Sequence, residues 1–258
     1  MPVKLRAEHG VVCALPRETY GYFGWPTVAR MEDGTLVAVA SGMRHGHVDP
    51  FGRTTFHVSR DDGRSWSSPR VITDTPLDDR DAGVTPLEGE GLLVSWFTSD
   101  TGSYFPPERR AELSPEFRAL IDAGLVWQTD GTLQRWLGSW VRVSHDAVET
   151  WQPPVQLPVT APHGPIRLRS GALLYLGKVY GQNMQEFTEG AGDILAMRSD
   201  DGGRSWAALG TVPKMAEMEP APEGTAEVPI SWKWFTPFTQ VRLSAVLKSA
   251  FRVVAARL

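Results

Sequence analysis

Proton transfer needs a carboxyl group next to something that sets its charge, and one short stretch has that pattern. Arg44-His45-Gly46-His47-Val48-Asp49 sets an arginine five residues ahead of an aspartate, with alternating histidines between them. These types suit Asp49 as a general acid or base with Arg44 beside it. They suit a solvated loop carboxylate and a surface arginine equally well. His45 and His47 have the types of metal ligands, but alternating histidines on a loop more often make polar contacts, and no metal or other cofactor is expected. A second charged stretch, Asp78-Asp79-Arg80-Asp81, reads either as a strand end with local Arg–Asp pairing or as a pocket wall. His163, in Ala161-Pro162-His163-Gly164-Pro165, is a structural histidine or a pocket residue.

The elements that would hold these residues are strands and turns. The 258 residues include 10 Trp, 25 Gly and 20 Pro, a mixture that favours many short strands over a helical bundle. Three turns repeat. Ser59-Arg60-Asp61-Asp62-Gly63-Arg64-Ser65-Trp66 and Ser199-Asp200-Asp201-Gly202-Gly203-Arg204-Ser205-Trp206 share S-x-D-x-G-x-S-W. Asp and Ser side chains can bond such a loop's own backbone, and Gly takes the positive-φ position. The second copy, Ser144 to Trp151, has Val148 where the others have Gly, so its turn is expected to be altered. A glycine followed by an apolar strand also recurs, at Gly34, Gly91 and Gly171. The spacing in the second copy is longer because of a helical insert expected at about 106–125. It opens on Ser114-Pro115-Glu116, an N-cap with Pro at N1. Four-stranded units at this period predict an all-β fold, a β-propeller.

The turns S-x-D-x-G-x-x-W are Asp-boxes. In register with propeller units, they resemble the sialidase superfamily, the BNR-repeat proteins, over about residues 15–215. The resemblance implies a six-bladed propeller, of which three to four blades are present. It implies Asp49 as acid/base and Arg44 as its neighbour. Phe23-Gly24-Trp25-Pro26 resembles the family's F/Y-R-I-P segment, with Gly24 where the family has an arginine that grips the sugar carboxylate. Asp78-Asp79-Arg80-Asp81 resembles D-x-R-D-P, with Ala82 in place of the proline, which puts Arg80 and Asp81 at the sugar together with Trp25 and His163. Glu219-Pro220 resembles the glutamate that polarises a nucleophilic tyrosine, yet the last tyrosine, Tyr180, comes before that region. The function implied is a sialidase-like exo-glycosidase, impaired in this chain, that removes terminal sialic acid or related sugars from a glycan. The alternative is a non-catalytic carbohydrate-binding or interaction propeller. Trp25, Trp96 and Phe97 have the types that stack on sugars or fill a core.

The charge changes late in the chain. Residues 228–258 contain no acidic residue and carry Lys233, Arg242, Lys248, Arg252 and Arg257. The expected organisation is a partial propeller over 1–227 and an atypical basic tail over 228–258. In that tail Val246, Leu247, Ala250, Phe251 and Val254 form a helical stripe. A frameshift or truncation near 220–228 accounts for the coincident loss of repeat, acid residues and nucleophile, and open sheet edges then predict poor solubility or oligomerisation. The net charge of −4 argues against a nucleic-acid binder, and the single Cys13 excludes an internal disulfide. No apolar run approaches membrane-spanning length, and the first ten residues lack a signal-like segment, so a cytoplasmic location is expected. Nothing in the pattern sets an oligomeric state.

Overall fold

The computed structural model describes residues 7–179, 193–212 and 250–256. Strand β1 (Ala7–Ala14) comes first. Three antiparallel sheets follow. The first runs β2 (Tyr22–Arg30), β3 (Leu36–Arg44), β4 (Arg53–Ser59) and β5 (Arg70–Thr73), each strand paired with the next. The second runs β6 (Asp78–Pro86), β7 (Leu92–Ser99), β8 (Ser139–Ser144) and β9 (Val155–Leu157) in the same way. In the third, β10 (Val159–Thr160) and β11 (Ile166–Arg167) both pair with β12 (Leu173–Val179), which continues to β13 (Ile194–Ser199) and β14 (Ala207–Thr211). The sheets stack side by side like propeller blades, and the described residues do not close a ring.

Strand periodicity explains the stacking. Alternate residues point to opposite faces, and β7, Leu92-Leu93-Val94-Ser95-Trp96-Phe97-Thr98-Ser99, is buried throughout because its sheet is in the middle. Leu92 and Val94 pack with Val37, Val39 and Phe56 of the first sheet. Leu93, one residue out of phase, packs with Leu173, Tyr175 and Met197 of the third. Burying each such leucine contributes about 2 kcal/mol.

All three S-x-D turns form. In the first, Ser59 Oγ donates to Asp61 Oδ1 (2.8 Å) and accepts from Gly63 N (2.9 Å), and Ser65 Oγ donates to Asp61 Oδ2 (2.6 Å). The third repeats this around Asp201, with Trp206 Nε1 donating to Gly203 O (3.1 Å). The second turn was expected to be altered; its Ser–Asp hydrogen bonds form, and it lacks only the indole bond to the turn carbonyl that Trp66 and Trp206 make in the other two. Val148 takes the left-handed place at φ 68° and donates its N–H to Ser144 Oγ (3.0 Å), while Asp146 accepts from both Thr150 N (2.8 Å) and Thr150 Oγ1 (2.5 Å). Its side chain is buried in the core between the first two sheets, which offsets the strain of a β-branched residue at positive φ.

Four helices occupy the connection between β7 and β8: α1 (Thr101–Tyr104), α2 (Pro107–Ala111), α3 (Pro115–Leu125) and α4 (Asp130–Trp136). The helical region is thus longer than the 106–125 expected. Ser114 Oγ caps α3 by accepting from Phe117 N (3.3 Å). The insert sits on the β3–β4 loop, where Val48 packs against Phe105 and Ile121. No described helix is long and apolar enough to cross a membrane.

The tail corrects a second expectation. Residues 250–256, assigned to a helical stripe, form strand β15 (Ala250–Ala256), antiparallel to β1. The distant partner decides: β1 pairs with the backbone of 250–256 as an antiparallel ladder between two ends of one chain, and Val253 and Val254 favour extended backbone. Residues 244–249 and Glu219 lie outside the described residues.

The three turns differ in room for a side chain. A Cβ on Gly63 would meet nothing closer than Leu36 Cδ1 at 3.5 Å, whereas one on Gly203 would lie 2.5 Å from Leu93 Cδ1. Gly63→Val should therefore cost only the left-handed strain, about 1–2 kcal/mol. Gly203→Val should cost roughly 2 kcal/mol more through overpacking. Urea unfolding of the two variants measures the difference, and equal destabilisation would contradict this packing account.

Candidate functional site

The innermost strand of each sheet breaks at one residue. Trp25 (φ 50°), Asp81 (φ 49°) and His163 (φ 68°) are non-glycine residues in the left-handed region. The β2–β3 ladder slips between Gly24 and Thr27, and the β6–β7 ladder between Arg80 and Gly83. In the third sheet the break is complete: β10 and β11 pair with β12 on either side of residues 161–165. Each such conformation costs on the order of 1–3 kcal/mol and persists only where its surroundings hold it. Three at matching places in three repeats turn Trp25, Asp81 and His163 away from their sheets and toward one another.

Close backbone packing holds them. A Cβ on Gly83 would lie 2.3 Å from the carbonyl carbon of His163, and one on Gly164 would lie 2.4 Å from Ser95 Oγ. Thr85 Oγ1 donates to Pro165 O (2.5 Å). Tyr175 OH accepts from Ala161 N (3.1 Å) and donates to Ala161 O (2.9 Å), pinning the approach to His163. Ser41 Oγ accepts from Asp81 N (2.8 Å). Thr27 then ties all three inner strands together: its hydroxyl donates to Ala82 O (2.9 Å) and lies 2.7 Å from His163 Nδ1.

The result is a cluster of aromatic, basic and acidic side chains. The Trp25 and His47 rings lie 4.8 Å apart, and the Arg80 guanidinium sits 5.3 Å from the Trp25 ring and 6.0 Å from the Phe97 ring. His47 and His163 are solvent-exposed, yet surrounding protein disfavours their charged forms. Burial, with Arg80 and Arg44 nearby, pulls the His47 pKa down to about 4. Burial lowers His163 as well, and Asp81 opposes part of that shift. Asp81 is only 7% exposed, and its Oδ1 has no hydrogen-bond partner. Burial raises its pKa against the pull of Arg80, His163 and Arg44.

Trp25, Arg80, Asp81 and His163, all expected at the site, are thus brought together. Arg44 and Asp49 are in the wall behind it, fully buried. Arg44 donates to Gly46 O (3.2 Å), Asp79 O (3.0 Å) and His47 O (2.9 Å), and pairs with Asp78 at 2.6 Å. Asp49 accepts from His45 N (2.5 Å) on Oδ2 and from Phe51 N (2.8 Å) on Oδ1. Both oxygens are therefore engaged, and acid catalysis by Asp49 requires the 45–51 loop to release one of them. Trp96 and Phe97 are core residues, 2% and 6% exposed. Thr27 and Ser41 were not anticipated, since a lone hydroxyl on a strand carries no pattern. His47 was visible only as one of two alternating histidines. His45 instead stacks on Phe117 of the insert, 5.1 Å between rings. Among the described residues no three His, Cys, Asp or Glu side chains are grouped to hold a metal ion.

No family model and no curated protein matches the chain. Solved structures do. A protein of unknown function from Dyadobacter fermentans matches with a TM-score of 0.51 at 18% identity, over 79% of this chain and 59% of its own. A NanB sialidase variant from Streptococcus pneumoniae matches with a TM-score of 0.51 at 12% identity, over 78% of this chain and 46% of its own. A leech intramolecular trans-sialidase matches with a TM-score of 0.50 at 15% identity, over 80% and 46%. The chain therefore spans about half the length of these structures, and at such identities the likeness is one of fold.

The buried acids behind the site make stability depend on pH. Burial pushes Asp79 up to about 7, although Thr75 N–H and Thr75 Oγ1 both donate to its carboxylate. Between the unfolded value near 4 and about 7, the folded state holds the extra proton, so stability falls as pH rises through that window. Asp78 and Asp81 are shifted the same way. Asp79→Asn should remove its share, so that denaturant-measured stability declines by roughly 3 kcal/mol less from pH 4.5 to 7.5 than in the native chain. Parallel pH profiles would refute this.

Proposed function

We propose that this chain is a sialidase-like exo-glycosidase that takes the terminal sugar of a glycan at this cluster. The observation that carries the reading is the convergence of Trp25, Arg80, Asp81 and His163 from three successive inner strands, each strand distorted at the residue it contributes. An aromatic face beside hydrogen-bonding groups suits a sugar, which has an apolar C–H face and a polar rim. Strained backbone at matching places of successive inner strands is characteristic of sites that bind or react.

In this reading Asp81 supplies the proton to the departing glycosidic oxygen. Its burial favours the protonated acid, the form needed to donate. Asp49 and Arg44 act as positioning residues, which revises the direct roles expected of them. Glu219, the expected second carboxylate, is kept in the proposal as a residue to be tested. The occupied oxygens of Asp49 favour the alternative of a carbohydrate-binding propeller without turnover.

A panel of aryl glycosides, with release of the aryl group as readout, separates these readings. Turnover by the native chain is expected, with Asp81→Asn slower by about 10²–10⁴ and its sugar binding kept. A larger loss in Asp49→Asn, with binding and fold intact, would return the acid role to Asp49. Sugar binding without turnover in the native chain would favour the binding propeller.

A further inference from the structure

We infer that the cavity between the helical insert and the first sheet is a second sugar-binding site, in which a pyranose unit stacks on Trp127 and hydrogen-bonds to Asp74 and Arg53. It is separate from the cluster of Trp25 and Asp81, and it shares with the glycan reading above only the class of ligand.

The cavity holds about 370 Å³. That is at the small end of the roughly 300–1,000 Å³ found for ligand pockets, enough for one or two sugar units. Its lining comes from four places in the chain. The β3–β4 loop gives Pro50 and Phe51, the first residue of β4 gives Arg53, the β5–β6 connection gives Asp74 and Pro76, and the turn after α3 gives Trp127. Seating the insert on the loop is what forms it. Gly124 packs so closely on Pro50 that a Cβ would lie 2.2 Å away, and Trp127 N donates to Gly124 O (3.1 Å). The next residue, Gln128, accepts from Gly102 N of α1 on its Oε1 (3.3 Å). Trp127 is therefore anchored through its backbone and its neighbour. It is nevertheless 64% exposed, the most of any Phe, Tyr or Trp among the described residues.

A lone exposed tryptophan would call for no ligand. This one shares its cavity with an ion pair. Arg53 Nε lies 3.0 Å from Asp74 Oδ2, with the side chains 26% and 53% exposed. The pair uses one nitrogen of the guanidinium and one oxygen of the carboxylate, so Nη donors and an Oδ1 acceptor remain side by side. Adjacent hydroxyls of a pyranose fit that arrangement, one donating to the carboxylate and its neighbour accepting from the guanidinium. The C–H face of the same ring fits the indole. Thr75 also lines the cavity, but its N–H and hydroxyl both donate to Asp79, which leaves the polar contacts to Arg53 and Asp74. One loop serves both places: His47 is held against Trp25, while Pro50 and Phe51 line the cavity. A site there would retain a larger glycan while its terminal sugar is at the cluster.

The test is NMR of the whole chain with ¹⁵N-labelled tryptophan. The indole resonance of Trp127 is the one missing from Trp127→Phe. Lactose, maltose, cellobiose, xylobiose and 3′-sialyllactose are titrated one at a time. At least one is expected to shift that resonance saturably, and no shift with any of the five would overturn the inference. Asp74→Ala should weaken the titration about threefold or more, and an unchanged titration would overturn the assigned contacts. Val126→Ala, beside Trp127 but outside the lining, should leave the titration unchanged, and an equal loss there would mark the shift as non-specific and overturn the site. Trp25→Ala should retain the shift, and its loss in a folded variant would place the sugar at the cluster instead. Release from aryl glycosides with no shift at Trp127 would overturn this site alone and leave the glycan reading standing. A shift at Trp127 without release would support this site while the exo-glycosidase reading fails.

Discussion

A guanidinium with no access to solvent organises the site. Removing Arg44 and Asp78 from water is expensive, and a buried pair of this kind is maintained only when every remaining donor is satisfied. Arg44 comes close to that condition with three carbonyls, two in the β3–β4 loop and one in β6, and an ion pair at 2.6 Å. Gly52 leaves the room for it, since a Cβ there would lie 2.1 Å from Arg44 Nη1. Asp78 in turn accepts the Asp49 N–H (3.2 Å) and faces Arg80 at 3.7 Å. One cation thereby joins the β3–β4 loop to the start of β6 and pairs with its first acid, Asp78. Without it Asp78 would keep only the more distant Arg80, and Arg80 and Asp81, two and three residues on, would lose an anchor of the strand that presents them.

The second constraint is backbone proximity. Inner strands that approach as closely as Gly83 and His163 leave no space for ordinary side chains, so the chain must divert there. The left-handed residues are those diversions. The geometry that brings three sheets together at their inner edges also directs Trp25, Asp81 and His163 into the space between them. Architecture and site therefore share one cause.

Much of this was legible in the sequence where the determining interactions are local. The S-x-D turns close within eight residues through their own side chains, so their spacing alone locates three sheets. The phase of the repeat places Trp25, Asp81 and His163 at comparable points. Reading failed where distant partners decide. Val148 holds a glycine's place because the core formed with Val39 and Leu92 keeps it there. Arg44 looked like a surface residue because its carboxylate partner is 34 positions away. Residues 250–256 carry a helical stripe, and a partner more than 230 residues earlier makes them a strand. Thr27 was invisible because its importance depends on Ala82 and His163, neither of them near it in sequence.

The insert completes the argument by explaining why the β3–β4 loop is rigid. Val48 is buried against Phe105 and Ile121, His45 stacks on Phe117, and Gly124 sits so close to Pro50 that a Cβ would lie 2.2 Å away. These contacts press on one side of the loop while Arg44 and Asp78 hold the other. Asp49, between them, closes the loop by accepting two of its amides. A carboxylate so employed is a fixed part of the frame, and its value to the site is that His47 is held against Trp25. Asp81, on the strand rather than on the loop, differs from it in that its buried Oδ1 accepts no hydrogen bond. The β3–β4 loop thus keeps its charged residues, Arg44 and Asp49, as structure, while the inner strands carry Trp25, Asp81 and His163.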